Sequence, residues 1–492
     1  MNEIGTEPEA LFLVRLSAEL STKARGTRRR FTRQLTDNIR DAFDAAGGRA
    51  HVDDQWTRIF VRTKTPSAAQ ALARIPGISS YSLVEGRCAG ELAEIVELGT
   101  ALYSGRVRGR RYAVRVRRAG EHAFSSSDLL IQLGSALNAE ATVDLDDPEV
   151  IVEVEIRDDR AYLFSERTSG LGGLPLGVEG RAICLLSGGF DSAVAAWLML
   201  KRGVQLDYVF CNLAGDAYER SVVTVGKILA EQWSYGTRPR LFVVDFTQPL
   251  AELRATTQPR YWQLILKRLM YRAAIQIAEE VDASAIVTGE AIGQVSSQTL
   301  ANLAALDDAS DRPILRPLLG FDKMEIIELS RRIGTASISS KVKEYCAIAP
   351  GNPVTNAQRA ATAEEERRMD LEILRNSTTN RHVVDLRSVN AADLVEAYLF
   401  TDVVPERAMV LDVRSEAEWD RWHYPGSKHF DFWELSGQLS RMDRDSIYVV
   451  LCEGNVQSAQ IAEQMQMKGM EAYAFRGGTR ALRAFAGRTA DG

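Results

Sequence analysis

The run Ser187-Gly188-Gly189-Phe190-Asp191-Ser192 follows an apolar stretch, Ala182 to Leu186, and leads into another, Ala193 to Leu200. In that order the three segments read as a strand, a glycine-rich turn and a helix. Two glycines let the backbone approach an anion closely, two serines add hydroxyl donors, and the new helix directs its open amides and positive dipole end at the same point. The run lacks the Gly-Lys-Ser/Thr ending that places a lysine at the last phosphate of a nucleotide. The chemistry it implies is therefore adenylation with release of pyrophosphate.

The pattern around this turn is repetitive. Strands expected at 181–187, 205–213, 239–246 and 283–288 alternate with helices at 192–202, 218–235 and 260–280. Alternation of this kind gives a doubly wound parallel sheet, with ligands at the carboxyl ends of its strands. Both Ser187–Ser192 and the later Thr288-Gly289-Glu290 fall there. Asp322-Lys323-Met324-Glu325 reads as a capping box for a helix that ends at Gly334. A charged stretch, Ala363 to Arg375, reads as a connecting helix, Asn376 to Asn380 as a polar joint, and Met409 to Val413 as a fresh strand.

At 492 residues the chain exceeds one hydrophobic core and is expected to form roughly three or four domains. No apolar segment approaches the roughly 20 residues that cross a bilayer, and Met1 to Ala10 shows no export pattern, so the cytoplasm is the expected compartment and no membrane partner is expected. The formal net charge of −6 argues against indiscriminate binding to nucleic acid. Two purely basic stretches stand out all the same. One runs from Lys23 through Arg28, Arg29 and Arg30 to Arg33, and the other from Arg106 through Arg115, Arg117 and Arg118. Each could neutralise several phosphates; each could equally be a solvated surface. Cys88, Cys184, Cys211, Cys346 and Cys452 form no Cys-x-x-Cys pair, which disfavours a tightly bound metal or cluster. Cys184 and Cys211 lie within apolar strands and read as core residues.

Upstream, Leu11 to Leu16 reads as a strand and Phe31, Leu35, Ile39 and Phe43 as one face of a helix, with Arg28 to Arg30 at its start and off that stripe. A strand near Arg58 to Arg62, a helix Pro66 to Arg74 and a strand Ser79 to Val84 complete a small α+β unit. A second follows from about Glu91 to Glu166, with a basic strand Tyr112 to Arg118 and a helix after Ser125-Ser126-Ser127-Asp128. The glycine-rich tract Ser169 to Gly177 reads as a hinge.

Taken together, these residues resemble the bacterial tRNA 4-thiouridine synthetases that also supply sulfur for the thiazole of thiamine. Arg74-Ile75-Pro76-Gly77-Ile78, Arg115-Val116-Arg117-Arg118 and Phe124-Ser125-Ser126 are similar to THUMP-domain marks, and Val287 through Thr299 is similar to that family's own string in a PP-loop ATP pyrophosphatase domain. The C-terminal segment resembles a rhodanese domain through Leu411-Asp412-Val413-Arg414, His423-Tyr424-Pro425-Gly426, Val449-Val450-Leu451-Cys452 and Phe475-Arg476-Gly477-Gly478. The implied fold class is α/β multidomain. Its expected divisions are a ferredoxin-like domain at 1–62, THUMP at 63–167 (both α+β), a doubly wound PP-loop domain at 168–385, a linker at 386–400 and an α/β rhodanese domain at 401–492.

The resemblance implies ATP contacts at Leu185, Leu186, Lys267, Gly289 and Gln298, added to the loop residues Ser187, Gly188, Gly189, Asp191 and Ser192, with Asp191 required for activation. Magnesium accompanies the ATP. Arg28, Arg29, Arg30, Arg115, Arg117 and Arg118 are the expected tRNA contacts. Cys452 ends a strand before a tight loop whose amides would stabilise a thiolate or persulfide. Cys346 occupies the position of the family's second functional cysteine and is assigned as the resolving thiol. Glu453 stands where many rhodaneses have arginine, so a protein-bound persulfide is expected as the sulfur source in preference to thiosulfate.

The partners implied are tRNA, a cysteine desulfurase and a sulfur carrier protein of the thiamine pathway, with a homodimer that places tRNA across two subunits as one arrangement. The activity implied is ATP-dependent conversion of a uridine, expected at position 8, to 4-thiouridine. The alternatives are a PP-loop thiolase acting at another tRNA position and an RNA-binding protein with degenerate domains.

Overall fold

A computed structural model describes residues 9–490 except 56, 214–215, 341–351, 390–398, 432–433, 436–437, 453–455 and 477, and without the side chains of 216–218, 456–457, 459–460 and 488–490. Four sheets organise the described residues. The first is antiparallel, in the order β10-β4-β1-β3-β2, from β1 (Ala10–Leu16), β2 (Ala50–Asp54), β3 (Arg58–Thr63), β4 (Ile78–Leu83) and β10 (Thr168–Ser169). Alternation along β1 sends Phe12 and Val14 to one face and Leu13 and Arg15 to the other. The helix Arg25–Ala45 lays Phe31, Leu35, Ile39 and Phe43 onto the Phe12 face, and all four are buried. Each such side chain contributes roughly 1.5 to 3 kcal/mol of burial.

The second sheet runs β5-β9-β8-β6-β7, from β5 (Gly86–Ala89), β6 (Arg111–Ala119), β7 (Thr142–Val143), β8 (Val150–Arg157) and β9 (Arg160–Phe164). The helices Leu92–Val107 and Ser126–Leu137 pack on one face, the latter started by the Ser125–Asp128 capping box. The opposite face meets the first sheet through Leu13, Phe60, Tyr162 and Phe164. At the margin of that contact the buried Glu155 carboxylate receives Arg58 at 2.6 Å, Arg157 at 2.5 Å and Arg15 at 3.3 Å.

Burial works against ionisation of Glu155, but Arg58, Arg157 and Arg15 outweigh it and hold its pKa below the ordinary carboxylate value. A depressed folded-state pKa makes this contribution fully present above the unfolded pKa of about 4.3 and lost as pH falls through the folded value. Glu155→Ala, which strands the cations, is expected to cost about 3 to 5 kcal/mol. Urea titration at neutral pH measures that loss; the gap between variant and wild type should narrow once the pH is taken well below 4.

The expected division at 62/63 falls inside the first sheet. The helix Ala68–Ala73 and β4 belong to its core and pairing, so this unit continues to Leu83. β10 then brings the glycine-rich tract back along β4, and Ser17 Oγ and Asn38 Nδ2 donate to the carbonyls of Gly173 and Leu176.

The third sheet runs β15-β14-β11-β12-β13-β16, from β11 (Arg181–Leu185), β12 (Gln205–Asn212), β13 (Arg240–Asp245), β14 (Ala285–Val287), β15 (Ile314–Leu315) and β16 (His382–Asp385). All pairs are parallel except β13 with β16, an added antiparallel edge that the strand pattern does not announce. Helices Phe190–Lys201 and Asp216–Trp233 cover one face, and Trp262–Glu280 the other.

The stretch expected as a connecting helix, Ala363 to Arg375, is instead two helices, Arg359–Glu366 and Leu371–Thr379. They are held in place because Glu366 is buried against Arg268 and Arg272, with contacts of 2.7 Å. The expected polar joint from Asn376 lies mostly within the second of them.

The fourth sheet is parallel, β17-β21-β20-β18-β19, from β17 (Phe400–Thr401), β18 (Met409–Asp412), β19 (Lys428–His429), β20 (Ile447–Leu451) and β21 (Glu471–Phe475). Its start at Phe400 precedes the expected fresh strand at Met409.

Candidate functional site

β11 ends at Leu185, and the amide of Leu186 still bonds to the Val209 carbonyl of the neighbouring strand. The chain then turns through Gly188 at φ +77°, a left-handed conformation that favours glycine, and Gly189 opens the helix Phe190–Lys201. No side chain caps that helix, so its first-turn amides face the loop. Ser192 Oγ accepts from the Ser187 amide at 3.2 Å and donates to the Gly189 carbonyl at 3.3 Å, which closes the loop on itself.

Gly289, one residue beyond Thr288 at the end of β14, presses on this turn. A Cβ there would lie 2.6 Å from the carbonyl carbon of Asp191 and from the amide of Ser192, so only glycine fits. Gln298 folds the segment that follows: its Oε1 accepts from the Ala291 amide at 3.3 Å and its carbonyl from the Gly293 amide at 3.0 Å. Its carboxamide is therefore engaged in part within its own loop.

Asp191 is the loop's charged residue, and Lys323 Nζ lies 2.9 and 3.0 Å from its two oxygens, with Gln294 Nε2 at 3.2 Å from one. Lys323 is the first residue of the helix Lys323–Ile333, whose Asp322–Glu325 capping box forms as expected. Sequence reasoning missed Lys323 as a site residue. The only signal was its place inside that cap, which does not say what the lysine reaches.

Lys267, on the helix Trp262–Glu280, points to the same end of the sheet, where its ammonium meets Glu290 at 2.9 Å. Arg316 Nε, Tyr271 Oη and Thr288 Oγ1 approach the other Glu290 oxygen at 2.8, 2.6 and 3.1 Å. Burial opposes a charge on Glu290, but Lys267 and Arg316 prevail and lower its pKa to about 2. Leu185, Leu186, Ser187 to Ser192, Lys267, Gly289 and Gln298 are thus gathered at the carboxyl ends of β11 and β14.

The arginines are distributed differently. Arg28 to Arg30 lie at the start of the Arg25–Ala45 helix, on the side of the first sheet away from the second sheet. Arg115 and Arg117 are exposed on one face of β6, whereas Arg118 points to the other, where it bonds the Phe124 carbonyl. Their neighbours in the basic run are engaged by acids: Arg106 with Glu85, Arg108 with Glu140, and Arg111 with Asp144, Asp147 and Glu149.

In the fourth sheet, Cys452 follows β20 directly and is 2% exposed. Its Sγ accepts from the Ser458 amide at 3.3 Å and lies 3.1 Å from Ser458 Oγ, at the start of the helix Val456–Met467. These donors suit an anionic sulfur. Nearby, Arg414 is buried on Asp412, with a shortest contact of 2.5 Å, and stiffens the end of β18. Cys346 and Glu453 lie outside the described residues. If Cys452 carries the persulfide expected from the sequence, Ser458→Ala should slow its loading about tenfold, since a hydrogen bond to a charged group contributes roughly 1.5 to 3 kcal/mol; intact-protein mass spectrometry over time measures it.

A nucleotide loop on a doubly wound sheet, two small α+β units before it and a cysteine-bearing parallel α/β unit after it define a multidomain PP-loop protein with an appended rhodanese domain. Residues 177–371 match the family described as thiamine biosynthesis protein (ThiI), 11–82 its ferredoxin-like domain, 91–166 the THUMP domain and 393–484 the rhodanese-like domain. The chain belongs to this ThiI family, whose curated members carry the name tRNA sulfurtransferase.

The relative from Desulfurococcus amylolyticus is 39% identical over 485 residues, covering 96% of this chain and 98% of its own. That from Haemophilus influenzae is 35% identical, covering 91% and 95%. Among solved structures, a 4-thiouridine synthetase–RNA complex with bound ATP is 31% identical, with a TM-score of 0.68, over 77% of this chain and 99% of that one.

Proposed function

We propose that this chain is an ATP-dependent tRNA sulfurtransferase that converts a uridine, expected at position 8, to 4-thiouridine, and that it also passes sulfur to a carrier protein for thiazole synthesis. The observation that carries the reading is the Ser187–Ser192 loop with its Asp191–Lys323 pair, in a chain 31% identical to a synthetase that holds ATP and RNA.

ATP enters with its phosphates over the loop amides and Lys267, and magnesium accompanies it as part of the substrate, with Asp191 the loop carboxylate able to face it. The uridine 4-oxygen attacks the α-phosphorus, the bond to the β-phosphate oxygen breaks, and pyrophosphate leaves. Amides and cations preset around the developing charge need no reorganisation at that moment.

Cys452, loaded as a persulfide by a cysteine desulfurase, brings its outer sulfur to ring carbon 4, and AMP departs with the former uridine oxygen. The Cys346 thiolate then attacks Cys452 Sγ and breaks the sulfur–sulfur bond. The thiocarbonyl is left on the base, and a Cys346–Cys452 disulfide awaits a two-electron thiol reductant. Cys452 is buried, so this step requires its sulfur to become accessible and the two cysteines to approach to a Cα separation of about 4.4 to 6.8 Å.

Arg28, Arg29, Arg30, Arg115, Arg117 and Arg118 are proposed to hold tRNA through phosphate contacts, with a homodimer as one way to engage basic groups on two sides of the first sheet. The cytoplasm is the proposed compartment; among the described residues no helix is long and apolar enough to cross a membrane. Arg115→Ala with Arg117→Ala should weaken tRNA binding and reduce the slope of log K against log salt by about 1 to 2, as read from binding titrations across salt concentrations.

Mass spectrometry of nucleosides from tRNA incubated with protein, ATP, magnesium, cysteine and a desulfurase tests the whole reading. 4-Thiouridine should form only when ATP is present. Equal modification without ATP would end it.

A further inference from the structure

A buried charge cluster stands behind the phosphate loop. Glu290 is 4% exposed and takes four donors on its two oxygens, Lys267, Arg316, Tyr271 and Thr288. Lys267 and Tyr271 sit four residues apart on the Trp262–Glu280 helix and reach the same carboxylate from one face. Arg316 also bonds Tyr271 Oη at 3.1 Å and Asp307 at 2.6 Å, so the inner side of the cluster is braced. Of the two cations, Lys267 is the more open, at 17% side-chain exposure against 8% for Arg316.

The backbone of Glu290 is registered to the loop as well. Gly289 immediately before it packs so closely on Asp191 and Ser192 that no side chain fits between them. With its backbone registered to the loop through Gly289 and its carboxylate held by Arg316, Tyr271 and Thr288, Glu290 defines where the Lys267 ammonium rests. A free lysine would retain its rotamer entropy, which opposes a fixed position beside the phosphates.

We propose that Glu290 is a positioning residue for adenylation: it acts through Lys267, setting its ammonium beside the phosphate loop, and does not itself touch substrate. The inference rests on the reading above that Lys267 faces the phosphates.

The test is a mutant cycle on the full chain, with pyrophosphate release measured in the presence of tRNA and magnesium-ATP. Lys267→Met is expected to lower the rate about 10²-fold to 10³-fold, as for loss of one preset charge-stabilising donor. Glu290→Gln should cost about 10²-fold, and the double variant should stay within about 3-fold of Lys267→Met, because residues acting as a unit are not additive. Losses that multiply toward about 10⁴-fold or more would mean an independent, merely structural contribution and overturn the inference. Wild-type activity in folded Glu290→Gln would overturn it too.

If Glu290→Gln does not fold, Tyr271→Phe replaces it in the cycle, removing one donor to Glu290 while keeping the ring. Its loss of about tenfold should vanish on the Lys267→Met background, and persistence there contradicts the proposal. An active wild type with additive variants rejects only this inference. A wild type that releases no pyrophosphate rejects the functional reading on which it stands.

Discussion

Alanine at Asp191 is expected to abolish tRNA-dependent pyrophosphate release and 4-thiouridine formation, a loss of at least about 10³-fold, the scale for removing a positioned group from the reacting centre. Asp191 stands in the first turn of the loop helix, and its carboxylate holds Lys323 at 2.9 and 3.0 Å and Gln294 at 3.2 Å. Without it the Lys323 ammonium loses its partner, and the Gln294 segment, which includes the turn ordered by Gln298, loses its tie to the loop. The damage is local, because Cys452 belongs to a different sheet with its own core. Persulfide loading of Cys452 should therefore proceed at the wild-type rate in the variant, and cells carrying it should lack 4-thiouridine yet grow without added thiamine. Pyrophosphate release near the wild-type rate would contradict the role given to Asp191.

Cys346→Ala should separate the steps in the opposite way. ATP cleavage continues and Cys452 still accepts sulfur, but multiple-turnover thiolation falls below detection because nothing expels the sulfur into the base. The ring carbon should stay joined to Cys452 through two sulfurs, and a tRNA–protein adduct cleaved by dithiothreitol is the expected product of a single turnover. Wild-type turnover by this variant would end the resolving-thiol assignment.

The strand–turn–helix at Ser187–Ser192 was legible because every requirement is local: the apolar run, the glycine that adopts φ +77° and the helix that follows are contiguous in the chain. The capping box at Asp322 and the helix start after Ser125 to Asp128 are legible for the same reason. Lys323 and Arg316 were not, because their partners Asp191 and Glu290 lie 132 and 26 residues away and only the fold joins them.

The same blindness inflated the second basic run. Arg106, Arg108 and Arg111 look free beside one another, but Glu85, Glu140, Asp144, Asp147 and Glu149 reach them from other segments, which leaves Arg115 and Arg117 as the exposed pair on one face of β6. Ala363 to Arg375 misled in the other direction. Its charge density suggests one connecting helix, whereas Glu366 is a buried counter-ion for Arg268 and Arg272. The first sheet runs past the expected division at 62/63, and the turn at Pro76–Gly77 gives no hint that the strand after it pairs with β1.

In the proposed reaction ATP activates the uridine by adenylating its 4-oxygen, after which that oxygen leaves with AMP. Transfer RNA carrying oxygen-18 at uridine position 4, incubated with the full chain, magnesium-ATP and a loaded sulfur donor, tests this most directly. The label should appear in the phosphate of AMP, one atom for each 4-thiouridine formed. Label found in inorganic phosphate or in water, with none in AMP, would contradict the account.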